Sequence, residues 1–364
     1  MSFSYGNKIK VTIFGQSHSP AIGVSIDGIP SGLEIDFDEL KLFLQRRMPG
    51  QGAYSTQRTE KDEAEIISGL KGSLNSENIT CGAPLTAIIR NTDARSYDYE
   101  KLADVPRPSH SDYAAYAKYG ASHDIRGGGS FSGRMTAPLC IAGGIFLQFL
   151  KQKGIFIAAH IEQIGCIKDT AFDPVNVSKK DFDCLTKDSF PVLNSEAGEK
   201  MLLAIEEAKQ DNDSLGGIVE CAAIGVPAGI GEPMFEGLEN SIAKILFAIP
   251  AVKGVEFGNG FTGSTLKGSQ NNDPFFIKND TVKTRTNNHG GILGGISSGM
   301  PILFRAAFKP TPSIPREQDS VSLSSLTEVK LSITGRHDPC IVPRAVPCVE
   351  AAAAIALYDA LLGV

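Results

Sequence analysis

The chain has 364 residues, 42% of them hydrophobic and 21% charged, a composition typical of a folded globular protein and not of a disordered or fibrous one. Its formal net charge is −6, so no global positive field is available to hold a nucleic-acid backbone. An anionic ligand must instead be bound locally, by arginines that lie in short apolar or glycine-rich contexts.

The first predicted helix begins after Asp36 or Asp38, either of which can cap it, and ends at Pro49-Gly50. This places Arg46 and Arg47 at a helix end that faces a loop. Further helices, each with apolar residues at helical spacing, are predicted at residues 136 to about 151, 195–209, 238–247 and 346–362.

Strand candidates are rich in β-branched and aromatic residues and occur at 9–14, 23–26, 85–90, 217–224, 252–257 and 302–308. Together with the helices they predict a mixed α/β chain. Because no Pro/Ser-rich or charged run separates two halves, we expect one domain over residues 1–364.

The expected compartment is the cytoplasm. Seven cysteines form no C-x-x-C pair, and an odd number favours a reducing environment. The N-terminus has no basic region followed by an apolar core. The most apolar stretch, 137–150, is too short to span a bilayer and is interrupted by two glycines, so it predicts a buried helix and no membrane contact.

Residues 258–263 match the G-x-G-x-x-G spacing of dinucleotide-binding proteins, but the continuation, with Gly268 and Pro274, predicts a turn and no helix that could meet a pyrophosphate. A different glycine-rich run, 126–134, is flanked by Arg126 and Arg134 and leads into the apolar helix. That helix start offers hydroxyls and bare amides, which is the composition of an anion site, although a structural turn is the alternative.

Three histidines lie in segments that can carry chemistry. His18 follows a predicted strand, His110 lies in a turn with hydroxyl neighbours, and His337-Asp338 stands before Cys340. A metal site or a Cys-His nucleophile is conceivable at the last segment. No second ligand cluster accompanies it, so we expect no metal.

Taken in order, the motifs of this chain resemble those of the chorismate synthase family over nearly its whole length. The matching segments are 13–18 (IFGQSH), 46–50 (RRMPG), 55–58 (STQR), 89–93 (IRNTD) with 95–96 (RS), 107–110 (RPSH), 118–120 (KYG), 124–129 (DIRGGG), 249–256 (IPAVKGVE), 290–297 (GGILGGIS), 309–311 (KPT), 335–340 (GRHDPC) and 344–347 (RAVP).

The resemblance implies an α+β fold, a β-α-β sandwich with helices packed between antiparallel sheets. It also implies a homotetramer that binds reduced FMN near a subunit interface and receives its electrons from an external flavin reductase or another reductant. The implied substrate is 5-enolpyruvylshikimate 3-phosphate. From it phosphate and the C6 hydrogen are eliminated to give chorismate, with no net redox change.

Site residues follow from the resemblance, motif by motif. His18 would protonate the departing phosphate, His110 would maintain the protonation state of the flavin, and Asp338 would relay a proton near the flavin N5. The implied substrate contacts are Arg47, Arg126 and Arg134. The implied flavin contacts are Ser130, Phe131, Ser132, Pro250, Ala251, Gly294, Lys309, Pro310, Thr311, Pro312, Ser313 and Arg336.

The chain departs from the family pattern at several positions, which are Ser19, Met48, Ala53, Ser130-Phe131, Met135 and His289. These changes reduce the number of positive charges around the ligands, and a protonated His123 or His289 would compensate in part. Two other hypotheses remain: a protein of this fold that binds FMN without turnover, and an unrelated flavin oxidoreductase that consumes a nicotinamide cofactor.

Overall fold

The structure is a computed structural model that describes residues 3–50, 52, 62–72, 77–91, 104–333 and 338–363. Its helices are α1 (Phe37–Arg47), α2 (Asp112–Tyr119), α3 (Thr136–Gln152), α4 (Lys179–Leu185), α5 (Ser195–Gln210), α6 (Leu238–Leu246), α7 (Gly260–Gly263), α8 (Gly268–Asn271) and α9 (Val342–Leu361). Short 3-10 segments lie at Gly120–Ser122, Arg126–Phe131, Gly133–Met135 and Met234–Glu236.

Two five-stranded antiparallel sheets form the outer layers. The first has the order β1 (Ser4–Tyr5), β2 (Lys10–Phe14), β3 (Ala21–Asp27), β5 (Leu85–Arg90), β4 (Glu65–Ser68). The second has the order β7 (Ile167–Lys168), β6 (Phe156–Ile164), β8 (Gly217–Ile224), β14 (Ile302–Phe308), β9 (Val252–Phe257). Three hairpins complete the chain: β10 (Phe275–Lys278) with β11 (Thr281–Thr284), β12 (Ile292–Leu293) with β13 (Ile296–Ser297), and β15 (Gln318–Ser322) with β16 (Thr327–Leu331).

The helices α3 and α9 lie between the sheets and form the centre of the core. α3 contacts β3 and β5 of the first sheet, and α9 contacts β6 and β8 of the second. The two helices approach closely because Gly143 has no side chain: a Cβ placed there would lie 2.2 Å from the Cβ of Ala351. The expected sandwich of helices between antiparallel sheets is confirmed.

Most predicted elements agree with the structure. The strands 85–90, 217–224, 252–257 and 302–308 have the predicted bounds, and the helices predicted from residue 136, 195 and 238 begin there. The last helix begins four residues earlier than predicted, at Val342, because Pro343 is tolerated in the first turn, where its missing N–H is not needed. The 258–263 motif contains one helical turn, α7, where the sequence predicted none, but that turn ends at Gly263.

The strand β6, which lies between β7 and β8, was not predicted. Its sequence, FIAAHIEQI, contains alanine, glutamate and glutamine, which have low strand propensity. Because almost every residue of the strand is buried, its sequence also lacks the alternation of apolar and polar residues that marks a half-exposed strand. The strand forms because it pairs along its length with β8. In the described part of the chain, one helical segment, Gly133–Gln152, is long and apolar enough to cross a membrane, and 89% of its most apolar window is buried inside the protein.

Candidate functional site

A cleft of about 630 Å³ collects residues that are far apart in the sequence. It is built by the end of α1, the loop before α2, the glycine-rich run before α3, the start of β9, the end of β14 and the start of α9. Its lining includes the predicted residues Arg47, His110, Ser130, Phe131, Ser132, Arg134, Pro250, Ala251, Lys309, Thr311, Pro312, Ser313 and Asp338. One concave surface therefore unites two of the three predicted catalytic residues with most of the predicted ligand contacts.

Arg47 and Arg134 share one buried carboxylate. The Asp62 side chain accepts a hydrogen bond of 2.7 Å from Arg47 Nη1 through one oxygen and pairs with Arg134 Nη1 through the other. Helix α1 sets the position of Arg47: Asp36 caps its start, and at its end Arg46 makes a bidentate pair with Glu350 of α9 at 2.6 and 2.9 Å. Two cations are thus held side by side at the cleft, in the arrangement that a multiply charged anion needs.

His110 is oriented by a carboxylate. Its Nδ1 lies 2.6 Å from Asp112 Oδ1. The Asp112 carboxylate also accepts hydrogen bonds from Arg107, from Nε at 2.7 Å and from Nη2 at 2.9 Å. Because Arg107 keeps Asp112 ionised, Nδ1 must carry the proton and donate it, which leaves Nε2 as the lone-pair nitrogen beside Gly128. Burial lowers the pKa of His110 despite the bond to Asp112, and the charge of Arg107 lowers it further. A neutral imidazole at neutral pH follows.

Asp338 pairs with an arginine that the sequence analysis did not assign. Its Oδ2 accepts from Arg344 Nη1 at 2.5 Å, and Arg344 Nε donates to the main-chain oxygen of Arg47 at 3.0 Å. Arg344 therefore links Asp338 to the end of α1. Both side chains line the cleft and are mostly buried.

The part of the lining that contains Lys253, Lys309 and Thr311 suits an anionic cofactor with polar edges. Lys253 and Lys309 line it without a carboxylate partner in the described ranges, and burial followed by the charge of Lys253 lowers the pKa of Lys309. Thr311 Oγ1 is buried there and makes no hydrogen bond to any described residue. Two lysines and a hydroxyl without partners among the described residues, in a cleft of the usual volume for a cofactor, fit a flavin nucleotide.

His18 lies next to the cleft, against Gly127. A Cβ on Gly127, whose φ is +60°, would lie 2.3 Å from His18 Cε1, so glycine is required for the histidine to pack there. Ser17, which follows strand β2, connects this part of the chain to the glycine-rich run, because its N–H donates to the main-chain oxygen of Gly129 at 3.1 Å. His18 itself is not among the residues that line the cleft.

Three other predicted contacts, all described residues, do not line the cleft. Arg126 is exposed and makes a bidentate pair with Asp124 at 2.8 and 2.9 Å. Pro310 is exposed, and Gly294 is exposed at the turn between β12 and β13. Arg336 and its neighbour His337 lie outside the described residues, as does Ala53.

The expectation that His289 adds positive charge to the ligand site is wrong. This histidine is not part of the cleft lining, its Nδ1 accepts from the Gly291 N–H at 2.9 Å, and burial lowers its pKa. A Cys-His nucleophile at the last segment is also disfavoured, because Cys340 is buried and its pKa is raised to about 12 by that burial. No group of three metal-ligating side chains occurs among the described residues.

Four residues of the site were not predicted from the sequence: Asp62, Asp112, Lys253 and Arg344. Asp112 could have been found, since it lies two residues after His110 and begins a helix. Lys253 and Arg344 lie inside matched motifs but were given no role. Asp62 had no local signal, because its partners are 15 and 72 residues away.

The family model for chorismate synthase matches residues 9–362 of this chain. The chain belongs to the chorismate synthase family. The chorismate synthase of Lancefieldella parvula is 46% identical over 371 residues, which cover 99% of this chain and 96% of that protein. That of Dehalococcoides mccartyi is 46% identical over 368 residues, covering 100% and 97%. A crystal structure of chorismate synthase is 28% identical, has a TM-score of 0.77 and covers 98% of this chain and 93% of the other.

The activity of the chorismate synthase family is a lyase reaction, the formation of chorismate from 5-enolpyruvylshikimate 3-phosphate in the shikimate pathway that leads to aromatic amino acids. The cleft agrees with this activity, because paired arginines face the same space as a neutral histidine and a carboxylate.

Proposed function

We propose that the cleft binds reduced FMN and 5-enolpyruvylshikimate 3-phosphate together, and that its side chains carry out the elimination of phosphate. The observation that carries this proposal is the convergence of His110, Asp338 and the Arg47–Asp62–Arg134 cluster on one cleft of about 630 Å³. A protein that had lost turnover would have no use for that combination of cations, base and carboxylate.

The flavin contacts of the proposal are the segments 130–132, 250–251 and 309–313, with Lys253 added. Support comes from the two lysines without carboxylate partners among the described residues and from the unsatisfied Thr311 hydroxyl. Reduced FMN, when bound, supplies an electron to the substrate and recovers it as the hydrogen leaves, so no oxidant is consumed. Arg336 and Gly294 belong to the same proposed set.

His110 holds a proton at a defined atom. Its Nδ1–H is committed to Asp112, so Nε2 accepts a hydrogen bond from a ligand N–H or takes up its proton. The lowered pKa of His110, caused first by burial, keeps Nε2 available at neutral pH. We assign to it the control of the flavin's protonation state.

The substrate anions bind to Arg47 and Arg134, with Arg126 as a further contact, and orientation by such pairs accounts for several kcal/mol of a barrier. His18, which packs on Gly127 beside the cleft, donates the proton to the departing phosphate. Asp338, held by Arg344, accepts the proton that results from removal of the C6 hydrogen.

We also propose a homotetramer that acts in the cytoplasm and is supplied by an external flavin reductase. Large apolar side chains are exposed on the hairpin β10–β11, where Phe275, Ile277 and Val282 are each more than half exposed. Such a surface is typical of subunit interfaces. All seven cysteines are free, which suits a reducing compartment.

The decisive experiment is an anaerobic assay with dithionite-reduced FMN and 5-enolpyruvylshikimate 3-phosphate, in which phosphate and chorismate are followed together. We expect both products in equal amounts with the flavin still reduced at the end. Product formation with oxidised FMN, or consumption of a nicotinamide cofactor in stoichiometric amounts, would contradict the proposal. His18→Ala is the informative variant, since phosphate release at the wild-type rate would return His18 to a structural role.

A further inference from the structure

Two buried thiols meet beside the cleft. Cys140 of α3 and Cys348 of α9 have their sulfur atoms 3.8 Å apart, and the residues are 0% and 2% exposed. Cys348 lines the cleft, whereas Cys140 lies behind it. The activity of the family gives neither sulfur a role.

The helices α3 and α9 pack closely next to the two thiols. Gly143 and Ala351 lie three residues further along the same two helices, and there the helices are in van der Waals contact because Gly143 has no Cβ. A disulfide needs an S–S distance of about 2.05 Å, so the two sulfur atoms must approach by roughly 1.8 Å. We expect a change of side-chain rotamer to supply this shift while the helices stay in contact.

The surroundings favour a reactive sulfur at Cys348. The hydrogen bond donated by Cys140 lowers the pKa of Cys348, and against the effect of burial the guanidinium of Arg47 lowers it further. The other buried thiols differ, because burial raises the pKa of both Cys221 and Cys340. A thiolate is the nucleophilic form of cysteine, so the ionised fraction of Cys348 combines access from the cleft with the charge state that oxidants attack, whereas the protonated fraction keeps its S–H.

We propose that Cys140 and Cys348 form a site of reversible oxidation, in which a small hydroperoxide that enters the cleft converts the two thiols into a disulfide. The Cys348 thiolate attacks the O–O bond of hydrogen peroxide, becomes a sulfenic acid and releases hydroxide. The Cys140 sulfur then attacks the sulfenic sulfur, its proton leaves with the departing oxygen as water, and the S–S bond forms. The two thiols lose two electrons, and the peroxide that gains them becomes water.

Oxidation changes the wall of the cleft through Arg344. In the reduced protein Cys348 Sγ donates to the main-chain oxygen of Arg344 at 3.4 Å, and the Arg344 side chain in turn binds Asp338 and the oxygen of Arg47. A disulfide has no S–H to donate. We therefore expect the oxidised protein to bind 5-enolpyruvylshikimate 3-phosphate more weakly, an expectation that rests on the proposed function of the cleft.

Peptide mapping tests the site itself. The native protein is treated with equimolar hydrogen peroxide, remaining thiols are alkylated, and a tryptic digest is examined for a covalent link between the peptides 135–151 and 345–364, which contain Cys140 and Cys348. We expect this linked pair to be the main oxidised product and to disappear after treatment with dithiothreitol. In Cys140→Ala the link is lost and Cys348 accumulates as sulfenic or sulfinic acid, while Cys221→Ala, an equally buried substitution, retains the link.

Oxidation of the exposed cysteines alone, or irreversible oxidation of Cys348 in the native chain without the link, would overturn the proposal. The mapping requires neither flavin nor turnover, so its result is independent of the proposed function. For the consequence in the cleft, calorimetric titration with 5-enolpyruvylshikimate 3-phosphate compares oxidised and re-reduced protein. The loss of one hydrogen bond predicts a dissociation constant raised roughly threefold to tenfold, and equal constants would refute the coupling to Arg344.

Discussion

Two histidines of this chain, one fully buried and one partly buried, have carboxylate partners but opposite pKa shifts. His160 of β6 is fully buried, with Nδ1 3.1 Å from Asp169 and Nε2 2.9 Å from Glu220. Burial opposes its charge, yet the bonds to Asp169 and then Glu220 outweigh burial, and the pKa of His160 is raised. His110 has one carboxylate, which it shares with Arg107, and its pKa is lowered, first by burial.

The two rings differ in which nitrogen atoms already have a protein partner. Both nitrogens of His160 are engaged, and its partners also fix the main chain, because Asp169 accepts from Leu193 and Asn194. His160 is therefore a charged link between strands and a loop. In His110, Nδ1 binds Asp112 and so orients the ring, and Nε2 stays available to a ligand in the cleft that His110 lines. A perturbed pKa alone does not identify a catalytic histidine; the open ring nitrogen at the cleft is the further observation that makes His110, and not His160, the candidate.

The largest expected effect is on Asp338, with Asp169 as the matched control. Asp338→Asn keeps the shape of the side chain but cannot accept a proton, so we expect a folded protein that binds both ligands and turns over about 100-fold more slowly, or worse. Asp169→Asn should instead lose stability and keep its turnover. Single-turnover phosphate release and thermal melting of the same preparations decide between the roles. Near-normal release in Asp338→Asn would make Asp338 a structural partner of Arg344.

The second largest effect on turnover is expected for a substitution of His110, with the same substitution of His160 as its control. His110→Gln removes the lone pair at Nε2, and we expect turnover to fall by roughly 10- to 100-fold while the melting temperature stays close to that of the wild type. His160→Gln should keep the turnover of whatever protein is folded. Steady-state rates per folded molecule measure the turnover of both variants. Equal losses of turnover would contradict a catalytic role for His110 beside a structural role for His160.

His160→Gln should be the more costly change for folding. It leaves Asp169 and Glu220 buried without a cation, and breaking a buried ionic group by removing one partner costs about 3 kcal/mol of unfolding free energy. Urea unfolding at neutral pH measures the loss. A value within experimental error of the wild type would show that the carboxylates find other partners.

The smallest effect is on pH dependence, where the two histidines act in opposite directions. The raised pKa of His160 gives stability that is complete below the unfolded value near pH 6.5 and is lost as pH rises through the folded pKa. The lowered pKa of His110 makes the protein less stable as pH falls below about 6.5. Urea unfolding between pH 5 and 9 should show the alkaline decline reduced in His160→Gln and the acid decline reduced in His110→Gln.

Much of the cleft could be predicted from the sequence because many of its lining residues lie in local motifs. The histidine turn at 107–110, the glycine-rich run and the end of β14 were each found, and the structure brings them to one cleft. The local pair of Arg126 with Asp124 and the hydrogen bond that His289 accepts from the Gly291 N–H were not predicted. The roles given to His18, His110 and Asp338 remain predictions for the experiments above.

The amino-acid sequence by itself determined the amphipathic helices, the β-branched strands and the turn residues, because these depend on the spacing and conformational preferences of neighbouring residues. Only the tertiary structure decided which charges meet. Asp62 reaches Arg47 and Arg134, and Glu350 reaches Arg46 across 304 positions of the chain. The strand β6 and the contact of Cys140 with Cys348 likewise depend on partners far along the chain. Burial makes such long-range pairs decisive, since an ion or a strand edge removed from water must find a partner wherever the fold provides one.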